Sequence, residues 1–267
     1  MKKQWLSLSI LILTFIFLLG PFLILFISAF GSESTIIFPP KKFSIFWFQK
    51  VLNMHMFQNA FKTSVFLATA STFVALIIGV PAAYASNRFS YWGKETLNLF
   101  FTSPIIVPGL IIGFSLLRFF VLFGNFSIFL GLFIGHTIIL LPYIIRVVSA
   151  SLSNFDTSIE EAAVSLGASR LKTFFLVVLP NVRSGVTAAF ILAFITSLND
   201  VPVSLFLSGP GVAPLPIQML TYMEYYFDPT ITALSTILIV FTIFIVQVAE
   251  KTLGLSGFLS GRRNEIS

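Results

Sequence analysis

Between Ser158 and Arg170 the chain reads SIEEAAVSLGASR. Two adjacent carboxylates, Glu160 and Glu161, precede Ala162 and Ala163; Gly167 follows, and Leu179-Pro180 lies further on. No catalytic cluster accompanies these residues. They offer charge pairing beside a small-residue face that another protein can approach closely. Thr157-x-x-Glu160 has the form of a capping box, and Asp156 also stands near the positive end of the helix it would start. The pattern predicts a helix over 158–166, with Gly167 in the left-handed position that stops it. Ile159, Ala162, Ala163 and Leu166 are spaced to share one face. Ser169 is placed to cap a second short helix that carries Arg170 and Lys172 and ends before Pro180. A capped loop helix with no partner has the same local pattern, so these residues alone leave a docking role open.

Catalytic chemistry finds no support. The only Gly-Lys pair, Gly93-Lys94, is followed by Glu95 and has Arg88 where a phosphate-binding loop needs its first glycine. No G-x-S-x-G elbow is present, the cysteine count is zero, and two histidines, His55 and His136, are too few for a histidine zinc site within one chain. The expectation is no catalytic residue, no metal and no cofactor in this chain. Asp200 is different: a carboxylate inside an apolar run is costly and therefore a functional candidate. Asn199 and Ser197 add weaker polar groups beside it. Asp200 suits either a pathway for a polar solute or a polar contact between helices. Further on, Tyr222, Glu224, Tyr225, Tyr226 and Asp228 mix acids with aromatic faces, which suits cations, a membrane-interface belt or a surface that receives another protein. His136 is read as satisfying a neighbouring helix, and Arg118 as reaching to the interface.

The elements that must position these residues are membrane helices. Of 267 residues, 57% are hydrophobic and 10% charged, and the mean hydropathy is +0.98, which does not suit a water-soluble surface. The net charge of +6 falls in islands between apolar runs, so it reads as membrane topology and not as a nucleic-acid stripe. A span needs about 20 mainly apolar residues, and six stretches qualify: 5–30, 63–86, 97–121, 127–149, 185–208 and 231–253. The first imitates a signal peptide but exceeds the usual run of about 15 residues and lacks a clear cleavage site; it is read as an uncleaved span. With the N-terminus inside, the inner set is Lys2, Lys3, Arg88, Lys94, Arg146, Arg170, Lys172, Arg183, Lys251, Arg262 and Arg263. The outer set is Lys41, Lys42, Lys50, Lys62 and Arg118. This bias puts both termini and the 150–184 loop in the cytoplasm. Gly20-Pro21, Pro104, Pro108-Gly109, Gly113, Pro142 and Pro202 predict kinked or broken spans. Outside, 31–62 suits a helix at the membrane surface, and 209–230 brackets a short apolar segment with proline and glycine.

Glu161-Ala162-Ala163, then Gly167, Val177 and Leu179-Pro180 match in spacing the EAA loop of binding-protein-dependent ABC importer permeases, with Val177 in place of the usual isoleucine. The chain resembles that MetI-like family across all six spans. The FPP of the first outer segment, SLNDVPVSLFLSGP and DPTITALSTILI look like the spermidine/putrescine (PotC-type) branch. The resemblance implies an all-α, six-span permease, one domain over 1–267, in a bacterial inner membrane. It implies that Glu160, Glu161, Ala162, Ala163, Gly167, Leu179 and Pro180 form a coupling element that docks on a separate ATPase. It also implies a second permease subunit, two ATPase subunits holding ATP and Mg, and an outer solute-binding protein. If the solute is a polyamine, Asp200 would attract its ammonium groups, with Ser197, Asn199, Tyr222, Glu224 and Asp228 as further pathway candidates. Ferric iron, thiamine, an opine or another organic solute stays open, as does an ion-driven secondary carrier.

Overall fold

A backbone in lipid must close its hydrogen bonds internally, which leaves helices as the natural form for these apolar runs. The computed structural model describes residues 2–124 and 126–253; Arg262 and Arg263 lie outside them. Among the described residues, helices carry the architecture, and the extended pairings are two isolated bridges, Gly31–Phe43 and Gly209–Val212.

Four helices are long and apolar enough to cross a membrane unaided: α1 (Lys2–Ala29), α3 (His55–Arg88), α6 (Ile128–Ser153) and α13 (Thr230–Leu253). Among the described residues, two bent pairs bring the candidate spans to six when each pair is taken as one. One is α4 (Lys94–Ile106) with α5 (Gly109–Phe123), bent by 107°. The other joins the helical segment Arg170–Asn181 to α10 (Arg183–Leu198), bent by 72°. Between α1 and α3 lies the short α2 (Phe46–Asn53). The 150–184 segment holds α7 (Thr157–Ser165), α8 (Arg170–Thr173) and α9 (Leu179–Asn181). After α10 come α11 (Pro202–Leu207) and α12 (Leu215–Tyr225).

Two expected spans differ from a single helix. The run 97–121 breaks at Val107, whose extended ψ of 130° is what a residue before proline prefers, and Pro108 keeps ψ near 130° before α5 starts. The run 185–208 ends as α10 at Leu198; Asn199 to Val201 are non-helical or isolated, and α11 restarts with Pro202 in its first turn. By contrast α1, α3 and α6 continue through Pro21, Pro81 and Pro142. The helix at 55–88 also begins eight residues before the expected start of its span.

Among the described residues the chain divides into two compact units, 2–59 with 218–244, and 60–217 with 245–253. In the first, α1 presents most of its large apolar side chains outward, while α2 buries Trp47 and Val51. The Phe30 and Phe48 rings meet at 4.8 Å, and Glu33 accepts from the Lys41 backbone N–H at 2.9 Å to fold the FPP segment. In the second unit Leu67, Leu132, Leu140, Ile144, Val148, Leu152 and Val203 are fully buried. Lipid tails are as apolar as leucine, so helices there associate through close packing, and small residues permit it. A Cβ on Gly113 would stand 3.0 Å from Pro202 O and Val203 Cα, and one on Gly109 2.9 Å from Pro202 Cβ. Thus α5 lies directly on α11, with the two helix breaks side by side.

Candidate functional site

The segment 150–184 is built by local hydrogen bonds. Asp156 caps α7, its carboxylate accepting from the Ser158 N–H at 2.9 Å. The capping box expected from Thr157 and Glu160 therefore does not form: the cap sits one residue earlier, and Glu160 is free for another partner. At the other end the Gly167 N–H reaches Val164 O at 2.9 Å and the Ala168 N–H reaches Ala163 O at 3.1 Å. Gly167 holds φ at +90°, which completes a Schellman stop in the conformation glycine adopts without steric penalty. Ser169 then caps α8, accepting from Lys172 N at 3.4 Å. The second helix does not end before Pro180. It continues through a widened turn, Phe174–Val178, in which the Leu179 N–H reaches back to Phe174 O, and Pro180 sits in the first turn of α9. Proline lacks a donor and crowds the carbonyl four residues back, which an unwidened α-helix leaves without a partner.

The face of α7 is partly as expected. Ile159, Glu161, Ala162 and Leu166 are exposed, Leu166 to 90%, while Ala163 is half-buried. Glu160 departs from the outward position given to it. Its Oε2 accepts from Arg88 Nε at 3.0 Å and its Oε1 from the Tyr84 hydroxyl, with both charged side chains about 15% exposed. Arg88 and Tyr84 lie on α3, 72 and 76 positions away, and no motif announced them.

Asp200 occupies the break between α10 and α11. Its Oδ2 accepts from the Ser204 N–H at 2.8 Å and the Ser204 hydroxyl at 3.0 Å, so the carboxylate caps α11. His136, fully buried on α6, places Nε2 3.0 Å from Ser204 Oγ and Nδ1 2.7 Å from Ser197 Oγ, with Asp200 Oδ2 3.8 Å from Nε2. Ser204 gives its one proton to Asp200 and so accepts from Nε2–H; a neutral His136 then accepts at Nδ1 from Ser197. The structure thus joins Ser197 and Asp200 through His136 and leaves Asn199 apart: exposed, it donates to Ile195 O at 3.0 Å. Ser204 was not singled out in the sequence; it stands four residues after Asp200, one beyond the usual reach of a cap.

Of the candidates after α11, Tyr222 and Asp228 are engaged with each other. Tyr222 is buried, and its hydroxyl donates to Asp228 Oδ2 at 3.0 Å beside Thr230 Oγ1 at 3.3 Å. Lys50 on α2 donates to the same Oδ2 at 2.7 Å and stands 4.7 Å over the Trp47 ring. Burial pushes the Asp228 carboxyl up, but hydrogen bonds from Lys50, Thr230 and Tyr222 outweigh it and hold it below its usual range. Burial likewise pushes the Lys50 ammonium down, and the Asp228 hydrogen bond and charge more than offset that. Glu224, Tyr225 and Tyr226 are exposed. Among the described residues no cluster of three His, Cys, Asp or Glu side chains is arranged to hold a metal ion.

Comparison with known proteins adds three results. Residues 75–253 match the family described as binding-protein-dependent transport system inner membrane component. Among curated relatives, the putrescine transport system permease protein PotI of Escherichia coli K12 is 32% identical, the match covering 89% of this chain and 86% of that one. The spermidine/putrescine permease PotC of the same strain is 30% identical over 89% and 91%. Among solved structures, a bacterial ABC transporter for import of the polysaccharide alginate superposes with a TM-score of 0.71 at 18% identity, covering 93% of this chain and 95% of that one. The methionine transporter MetNI gives 0.61 over 75% and 95%.

Proposed function

This chain belongs to the family of binding-protein-dependent transport inner membrane components, and from that premise we propose that it is the permease subunit of an ATP-driven polyamine importer. It lies in a bacterial cytoplasmic membrane with both termini inside. It pairs with a second, similar permease, two ATPase subunits dock on the inner side holding ATP and Mg, and a solute-binding protein delivers putrescine or spermidine outside. The names of its 30–32% identical relatives support that solute class.

One observation carries the coupling role. The spacing from Glu161-Ala162-Ala163 through Gly167 to Leu179-Pro180 falls on a helix, a left-handed elbow and a second helix. The exposed face of α7 presents Glu161, Ala162 and Leu166 to a docking partner. When the ATPases close, a short rigid helix in their groove moves as a body, and the elbow passes that motion through α8 and α9 to α10. Outward opening of the path between the two permeases follows, and hydrolysis resets it. Asp200, at the α10–α11 break, supplies negative charge for a passing ammonium group.

The test is reconstitution of the chain with its sibling permease and ATPases in liposomes supplied with the binding protein. Labelled putrescine should enter only with ATP and be competed by spermidine but not by thiamine, ferric iron or an opine. Uptake by the single chain under an ion gradient would overturn the importer, and competition by another of these solutes would replace the cargo.

A further inference from the structure

The two adjacent carboxylates of the α7 motif differ in their surroundings: Glu161 is exposed, whereas both oxygens of Glu160 are engaged. Glu160 takes the Tyr84 hydroxyl on one oxygen and Arg88 Nε on the other. The same guanidinium donates through Nη2 to Leu152 O at 3.3 Å and Phe155 O at 3.4 Å. Leu152 O lies in the last turn of α6, at the negative end of the helix dipole, and Phe155 O in the turn that follows it. One planar cation therefore fastens three elements: the end of α3, on which it sits, the end of α6, and α7.

Apart from this fastening, α7 is held by its packing on 174–178 and α8 and by two bendable joints, the turn at Asn154–Phe155 and the glycine elbow at Gly167. Joints of this kind let a helix pivot when it is pushed at its exposed face, and the push is absorbed. A charge-assisted fork anchored at about 15% exposure resists that pivot far better than an exposed pair, because water competes less for each bond. We infer that Arg88 and Glu160 form a strut that makes α7 and the inner end of α3 move as one body, so that coupling reaches the bundle through α3 as well as through α10. Glu161 is left to face the partner. Arg88 and Glu160 act here as positioning residues. The inference rests on the coupling role proposed above.

The chain has no cysteine, so paired spin labels report cleanly. With Ser90→Cys at the α3 end and Ser165→Cys on α7, both exposed, the label distance in the assembled transporter should be the same with and without bound ATP. Glu160→Gln should make that distance nucleotide-dependent and lower uptake at least about fivefold. Arg88→Lys should behave like Glu160→Gln, since it keeps the charge but not the fork. A nucleotide-dependent distance in the native pairing, or native uptake in Glu160→Gln, overturns the strut; if that variant does not assemble, the native-chain distance decides alone. Gly167→Val separates the two ideas: normal uptake there removes the coupling role itself. Lost uptake there, with a native-like Glu160→Gln, removes only the strut.

Discussion

Lys50 Nζ stands 2.7 Å from Asp228 Oδ2, joining positions 178 apart in the sequence. The bond seats α2 against the turn before α13 within the first unit, and Tyr222 reinforces it on the same oxygen. Residues of a type that would suit cation binding are here spent on each other. Asp228→Asn should lower the melting temperature of the purified complex slightly, in keeping with about 1 kcal/mol or less for a partly exposed pair. The pH dependence has two limits. The Asp228 carboxyl is lowered from 3.8, so its contribution is present above that value and lost as pH falls through its folded pKa. The Lys50 ammonium is raised from 10.5, so its contribution is present below that value and lost as pH rises through its folded pKa. The melting difference between native and variant should therefore be flat around neutral pH and close at both extremes.

Gly167 is predicted to be the least replaceable residue of the loop. At φ +90° a β-branched side chain is strained on the order of 1–2 kcal/mol, and the elbow can relieve this only by changing the angle between α7 and α8. Gly167→Val should abolish uptake and stimulated ATP hydrolysis while leaving membrane insertion intact, as read by fractionation and transport in the same cells. Gly167→Asn, which tolerates the left-handed region, should retain part of both.

Asp200→Asn keeps the shape and one acceptor for the Ser204 N–H but removes the charge. Polyamine uptake should fall at least about tenfold, the factor given by about 1.4 kcal/mol, while the subunits still co-purify. An unchanged uptake rate would take Asp200 out of the pathway and leave it only the α11 cap.

His136→Ala deprives Ser197 and Ser204 of a buried partner and opens a cavity beside Asp200. Each stranded buried polar group costs roughly 1–3 kcal/mol. Thermal unfolding of the assembled transporter should shift down clearly, and by more than for Asn199→Ala, whose side chain bonds only within its own helix.

How far the sequence could be read depended on the range of the physics involved. Spans were legible because twenty apolar residues in a row are a local property, and the caps at Ser169 and Gly167 because a helix end is decided within five residues. The assignment of Thr157 as cap missed because Asp156, one residue earlier, competes for the same N–H groups and carries a charge. Proline at 108 and 202 marked breaks but not angles; the 107° bend goes with the packing of α5 on α11, a tertiary property. The pairs Arg88–Glu160, Lys50–Asp228 and His136–Ser204 were beyond reach. Each needs two segments 68 to 178 positions apart to arrive together, and no spacing encodes that.

The two adjoining helix breaks have a consequence for what surrounds the chain. Where α4 stops and α5 starts, and again where α10 gives way to α11, carbonyl and amide groups are left without partners in their own helices. Gly109 against Pro202 puts both interruptions at one place, in the middle of runs otherwise suited to hydrocarbon. Acyl chains offer such groups nothing to bond. The exposed turn at Ile106 and Val107 therefore lies where acyl chains would leave the freed backbone groups beside it unbonded.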